Sequence, residues 1–256
     1  MNVKPTLALC IPAYNAAPYL PRLLETASHQ TIPFDEIIVY DDASSDNTSE
    51  VASDLGAKVI RGEKNAGCSH GKNQGAQNSV CDWVHFHDAD DALEPNFVEQ
   101  AQNWISREDC PDIVFFGFRC VDNATGEELA VKQFDHEAIS QDPVTYCFAE
   151  QTASICGVYR RSKFVACGGW DEDPDVLYSE DQAGHVHMAL SGLTFAADPA
   201  ITVTNFMRAG SMSDGSLRKC PRSNYHFMNK HWKSAPERAK PKIAFRLWQA
   251  AGTAAS

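Results

Sequence analysis

Four apolar runs of strand length, each broken off by polar residues and most of them followed by sequence with helical spacing, fill the first ninety residues of this chain. Thr6–Ile11 is an unbroken apolar run stopped by Pro12, the pattern of a strand buried on both faces. Leu20, Leu23, Leu24 and Ala27 then recur at helical spacing, with Pro18 and Pro21 in or just before the first turn, where proline is tolerated. Glu36–Tyr40 predicts the second strand, and Asp41 to Asp46 supply candidate caps for a helix ending near Leu55. Lys58–Arg61 predicts a third strand, Gly62–Gly67 a loop, Ser69–Asn78 a short helix, and Trp83–His87 a fourth strand ending in Asp88-Ala89-Asp90-Asp91. This alternation implies βαβ units, a mainly parallel sheet flanked by helices, and ligand binding beyond the carboxyl ends of the strands. The loops Pro12-Ala13-Tyr14-Asn15, Asp41-Asp42 and Asp88–Asp91 should therefore converge on one crevice.

The second half is less regular. It predicts a helix over Pro95–Ser106, strands at Ile113–Arg119 and Gly157–Tyr159, and a helix running to Cys167 that Gly168-Gly169 closes. A helix over Glu180–Leu190 and strands at Thr194–Ala196 and Ile201–Phe206 follow. Helices at Ser223–Lys233 and Pro236–Ala251 form a carboxy-terminal extension. The expected division is a main domain over residues 1–215, in two parts (1–95 and 96–215), followed by a basic helical extension over 216–256.

Charge narrows the partners. The formal net charge is −12, which counts against general nucleic-acid binding. From Arg218 to Arg246 there are nine Lys or Arg and one acid, so this stretch carries +8 and the rest of the chain −20. The nine cysteines form no C-x-x-C pair and read as buried thiols of a reducing compartment. No apolar run reaches the roughly 20 residues that span a bilayer, and the start lacks a signal-peptide layout. A cytoplasmic location is expected.

Asp88 and Asp90 lie two apart just past a strand, so on an extended backbone their carboxylates project to one side. Such hard oxygen donors suit Mg²⁺ or Mn²⁺; a solvated acidic turn is the plain alternative. His85 and His87 alternate next to Asp88 and invite a zinc reading, though histidines on a half-buried strand more often satisfy neighbours.

The residues Ile11-Pro12-Ala13-Tyr14-Asn15, Ile37 to Asp46, Asn65-Ala66-Gly67, Lys72-Asn73-Gln74-Gly75 and His87 to Asp91 closely resemble the motifs of inverting family 2 glycosyltransferases. So do Gly168-Gly169-Trp170-Asp171-Glu172 and Ser179-Glu180-Asp181. The resemblance covers roughly residues 6–210 and implies the GT-A nucleotide-diphospho-sugar transferase fold, with 1–215 as the catalytic domain, 1–95 as its nucleotide-binding part and 96–215 as its acceptor-binding part. It implies Asp90 as metal ligand for Mn²⁺ or Mg²⁺, with Asp88 at the metal or the ribose. It places Asp42, Pro12, Ala13, Tyr14, Asp88 and Ala89 around the nucleotide, with Tyr14 otherwise a core aromatic. Lys72 is either a diphosphate contact or a solvated surface lysine. Asp181 is implied as the base that takes the acceptor's proton and Glu180 as an acceptor-orienting neighbour, both otherwise favourable charges at a helix N-terminus; Arg208, with Gly210-Ser211-Met212-Ser213, is implied as a diphosphate contact and otherwise reads as a plain surface loop. The implied reaction moves one sugar from a nucleotide donor, UDP-sugar preferred, to a hydroxyl of a glycan or lipid-linked glycan. The processive signature Gln-x-x-Arg-Trp is absent. Two departures stand out. His187 occupies a position usually Arg, and reads as a packed, hydrogen-bonded histidine. Ala43 stands where Gly is common, a tolerable change if the turn avoids positive φ. The alternatives from other classes are a non-catalytic nucleotide-sugar-binding protein and a nucleotidyltransferase, the latter disfavoured because no glycine-rich phosphate loop follows the first strand. The basic tail, interleaved with Tyr225, Phe227, Trp232, Phe245 and Trp248, either packs on the domain or rests on anionic lipid at the inner face of a membrane.

Overall fold

The computed structural model describes residues 4–208 and 219–254. In chain order the elements are β1 (Leu7–Ala13), α1 (Leu20–Ser28), β2 (Glu36–Asp41), α2 (Thr48–Asp54), β3 (Lys58–Arg61), α3 (Cys68–Asn78), β4 (Trp83–Phe86), β5 (Ala92–Leu93) and α4 (Phe97–Ile105). There follow β6 (Ile113–Asp122), β7 (Glu128–Lys132), α5 (His136–Gln141), α6 (Pro143–Ala149), β8 (Gly157–Arg160), α7 (Arg161–Ala166), α8 (Glu180–Leu190), β9 (Phe195–Met207), α9 (Lys219–His231) and α10 (Lys240–Ala254).

One sheet runs through the molecule in the order β3-β2-β1-β4-β8-β6-β9-β5, with β7 paired to β6. The first four strands in that order are mutually parallel, as are β6 and β9. Strands β8, β5 and β7 run antiparallel to their neighbours. Along β1 the pleat sends Leu7, Leu9 and Ile11 to one core layer and Ala8 and Cys10 to the other. The first layer packs against α1 and α4, the second against α7, α8, α9 and α10.

Helix α3 reaches the sheet without an apolar stripe. A Cβ on Gly71 would lie 2.8 Å from Pro12, and one on Gly75 2.8 Å from Cys10. These small residues let the helix backbone settle on β1 and turn Lys72 and Asn73 inward, where both are buried. Pro12 does not end β1, which pairs with β2 as far as Ala13 opposite Asp41. The two strands expected at 194–196 and 201–206 are one strand, β9, whose pairing with β6 slips on either side of Gly117. The boundary expected at residue 215 and the motif Gly210–Ser213 lie outside the described residues.

All nine cysteines are free. Among the described residues no helix is long and apolar enough to cross a membrane.

Candidate functional site

The ends of β1 and β2 carry loops that are tied to each other. Asn15, at φ 50, accepts from the Ser45 N–H at 2.9 Å, and Ser44 Oγ accepts from the Asn15 N–H at 2.9 Å. Asp41 is fully buried and accepts from the Ser44 N–H (2.8 Å), from Arg61 Nη1 (2.7 Å) and from the Ser49 hydroxyl. Burial alone would raise its carboxyl, but these partners hold it below its ordinary value. Asp42 accepts from the backbone N–H groups of Ala66 and Gly67 at 2.8–3.1 Å, fixing the 65–67 loop beside the β2 end. Ala43 adopts φ 61, so the turn does not avoid positive φ; its N–H donates to the Asp41 carbonyl at 2.8 Å, which holds the strained conformation in place. Tyr14 is exposed at 53% beyond β1, not a core aromatic, with Pro12 half-buried and Ala13 buried behind it.

Past β4, the four residues 88–91 divide their work. Asp91 is buried and faces β9, accepting from Asn205 Nδ2 at 2.7 Å and from the Phe206 N–H at 2.8 Å. That anchor leaves Asp88, Ala89 and Asp90 half-buried just past the β4 end. Asp90 Oδ2 accepts from Arg208 Nε (3.1 Å) and Nη2 (2.9 Å), while the same guanidinium lies 4.4 Å over the Tyr19 ring.

Lys72 is the centre of the site and is not a solvated surface lysine: its side chain is 1% exposed. Its ammonium donates to Ser154 Oγ at 2.7 Å and to Asp181 Oδ1 at 2.9 Å, stands 3.9 Å from Asp88 Oδ1, and lies 5.2 Å from the Trp170 ring centre. One buried cation therefore joins the acid after β4 to the acid that opens α8. Burial works against the Lys72 charge, yet Asp181 above all, with Asp88 and Glu180, keeps it well above the usual lysine value. Burial would likewise raise Asp181, but Lys72 and the Ser154 N–H outweigh it and hold this carboxyl low, hence ionised. Its neighbour behaves oppositely. Burial and the charge of Asp181 push Glu180 up to about 8. Burial, partly offset by Lys72 and reinforced by Asp181 and Asp90, brings Asp88 to about 6.

Supporting side chains fix these positions. Asn73 grips the Trp170 backbone, accepting from its N–H at 2.8 Å and donating to its carbonyl at 2.9 Å, and also donates to Glu172 at 2.7 Å. Gly169, at φ 72, must be glycine: a Cβ there would lie 2.3 Å from Asn73 Oδ1. One turn beyond Asp181, the buried His185 bonds Thr152 Oγ1 and the Tyr159 hydroxyl, each at 2.7 Å; burial lowers it to about 3 and leaves it neutral. Ser154, Thr152, Tyr159 and Asn205 are supporting residues that sequence reasoning missed. Residues 150–156 carry no periodic pattern, and Asn205 gives no signal beyond lying in a strand.

His85 Nδ1 meets the Gly157 carbonyl at 2.8 Å and its Nε2 meets His87 Nδ1 at 2.9 Å, so both nitrogens of His85 are engaged within the protein. His187 donates through Nε2 to the Cys167 carbonyl at 2.7 Å, the packed arrangement expected. Asp173, Asp175 and His226 present ligand atoms within 4.8 Å of one another, a spacing able to hold a cation, but the Lys230 ammonium already stands 3.3 Å from Asp173. Asp88 and Asp90 also offer two hard, partly exposed carboxylates of the kind that suits a magnesium-like ion, with Arg208 at 2.9 Å from Asp90 and Lys72 at 3.9 Å from Asp88.

Solved structures share this architecture. Residues 1–349 of TarS from Staphylococcus aureus align with 96% of this chain and 71% of theirs, at TM-score 0.70 and 18% identity. The mannosyltransferase PcManGT of Pyrobaculum calidifontis, solved with GDP-Man and Mn²⁺, aligns with 98% of this chain and 74% of its own, at TM-score 0.69 and 18% identity. The fold is thus GT-A. Among curated proteins, an uncharacterized glycosyltransferase of Rickettsia typhi is 32% identical over 50% of this chain and 41% of its own length. One from Haemophilus influenzae is 28% identical over 54% and 47%. The chain spans less than half the length of these relatives. The family description "Glycosyl transferase family 2" matches residues 8–164, well over half the sequence, and by that match the chain belongs to glycosyl transferase family 2.

Proposed function

We propose that this glycosyltransferase moves a single sugar, with inversion, from a nucleoside diphosphate donor to an acceptor hydroxyl, and that it does so with Mn²⁺ or Mg²⁺. The observation that carries the reading is the buried Lys72, which holds Asp88 and Asp181 around one centre although the two lie far apart in sequence. Asp90 and Asp88 are the cation ligands. A divalent ion held by them would supply positive charge against the departing nucleoside diphosphate. Pro12, Ala13 and Tyr14 wall the base, and Ala89 lies against the nucleotide. Asp42 keeps lone pairs to spare after binding Ala66 and Gly67, so it can accept a base N–H; uridine, with an imide N–H, is the favoured base. Lys72 neutralises the carboxylates beside the diphosphate. Arg208, whose guanidinium now pairs with Asp90, would offer a fork that suits the diphosphate.

Asp181 is the base. It must be ionised to accept a proton from the acceptor hydroxyl, and Lys72 keeps it so. Glu180, whose carboxyl stays largely protonated at neutral pH, orients the acceptor as a donor. The complexes of TarS with UDP-GlcNAc and of PcManGT with GDP-Man and Mn²⁺ support the donor class. Polysaccharide or glycolipid assembly on the cytoplasmic side is the setting this chemistry fits.

The test is a thermal-shift panel of nucleoside diphosphates and nucleotide-sugars with and without Mn²⁺. Stabilisation by UDP or a UDP-sugar that depends on Mn²⁺ is expected. No shift with any nucleotide under either condition would overturn the reading. Release of labelled sugar from the donor would exclude a merely binding protein.

A further inference from the structure

Helix α10 is apolar on two opposite sides. Inward, Ile243 is fully buried and Leu247 packs beside it, in the core layer that also holds Phe227 and Met228 of α9. Outward, Pro241, Ala244, Phe245 and Trp248 follow the i, i+3, i+4, i+7 spacing of one helix face, and all four are exposed. Phe245 is 55% and Trp248 72% exposed, and their rings stack on each other at 6.1 Å. The inward side accounts for the attachment of the helix, so the outward aromatics are not needed to hold it.

The charges around this stripe divide in two. Arg238 is paired with Asp142, Lys230 with Asp171 and Asp173, and Arg246 is turned inward onto the Ala149 carbonyl and Gln182. Lys242, one turn before Phe245, and Lys233, in the connection from α9, are exposed and make no ion pair among the described residues. The remainder of the chain is strongly acidic, so an anionic surface attracts this face and repels most others, which sets the orientation of approach.

We propose that the outward stripe of α10 seats on an anionic lipid surface, with Phe245 and Trp248 at the headgroup boundary and Lys242 and Lys233 at the lipid phosphates. A stacked aromatic pair beside unpaired lysines has the chemistry of an interfacial anchor. The partner is independent of the catalytic reading, and its failure would leave that reading intact.

Deleting the tail is a poor test, because its inward side is core. The whole chain should instead be floated with phosphatidylcholine vesicles, with and without phosphatidylglycerol. Binding only to the anionic vesicles, weakening as salt rises, is expected. Phe245→Ser with Trp248→Ser should lower partitioning at least about tenfold, and Lys242→Glu several-fold, with circular dichroism unchanged. A parent chain that does not float, or a double variant that floats as well as the parent, would overturn the proposal. So would a lipid-free dimer in sedimentation that the double substitution dissolves, since the stripe would then belong to a second copy.

Discussion

Asp42 and Asp181, carboxylates proposed to serve opposite ends of the site, are secured by different means. Asp42 lies at a strand end and is held by backbone N–H groups 24 and 25 residues away, in a loop of the same βαβ half. Asp181 opens a helix and is held by one ammonium 109 residues away. The amino-terminal half builds its part of the crevice from neighbouring loops that bond one another. The carboxy-terminal half contributes Asp181, whose charge is stabilised chiefly by Lys72, from the first half, buried beside it. The site is therefore one electrostatic unit even though its two ends are built independently.

The largest effect should follow from Lys72→Met. It leaves Asp181 and Asp88 close together without their cation, and breaking a buried pair in this way costs about 3–5 kcal/mol. Urea denaturation at neutral pH checks it, and Lys72→Arg should recover part of the loss. A Met variant within about 1 kcal/mol of the parent would break the comparison, because the two halves would then not share a counterion.

Next in size is the pH dependence of Glu180, set mainly by burial and by Asp181 beside it. Its folded value, about 8, lies above its unfolded one. The proton-retaining fold is thus favoured below the unfolded value, and that contribution is lost as pH rises toward about 8. Glu180→Gln should raise the melting temperature relative to the parent by an increment that grows from pH 5 to pH 8. An increment that is constant or shrinks with pH would place Glu180 in ordinary solvent.

The smallest belongs to the first half. Ala43→Gly relieves a left-handed alanine, a strain of about 1–2 kcal/mol, but loosens the unfolded chain by somewhat less, so the net gain expected is under about 1 kcal/mol. Destabilisation on chemical melting would show that the Ala43 methyl packs usefully.

These contrasts explain what could be read ahead of the fold. Strands β1 to β4 were legible because each couples an apolar run to an abrupt polar stop. Strand β5 is two residues long, and α5 and α6 are six and seven, too short for periodicity to register. Separate strands were expected at 194–196 and 201–206, whereas β9 runs through the residues between them by slipping its register against β6. In the site, Asp88, Asp90 and Asp181 stood out through their motifs. The surroundings of Lys72 did not, because α3 packs through Gly71 and Gly75 instead of an apolar stripe, and nothing in such a helix marks a lysine as buried. Ser154 and the Thr152–His185–Tyr159 bonds arise only when residues 152–185 fold against one another.

The separation of a donor end from a proton-accepting end is tested most directly by following Mn²⁺-dependent nucleotide binding and sugar release from a UDP-sugar together, in Asp181→Asn and Asp90→Ala. Asp181→Asn should bind nucleotide as the parent does and release no sugar, and Asp90→Ala should lose both. Undiminished sugar release by Asp181→Asn would contradict the account.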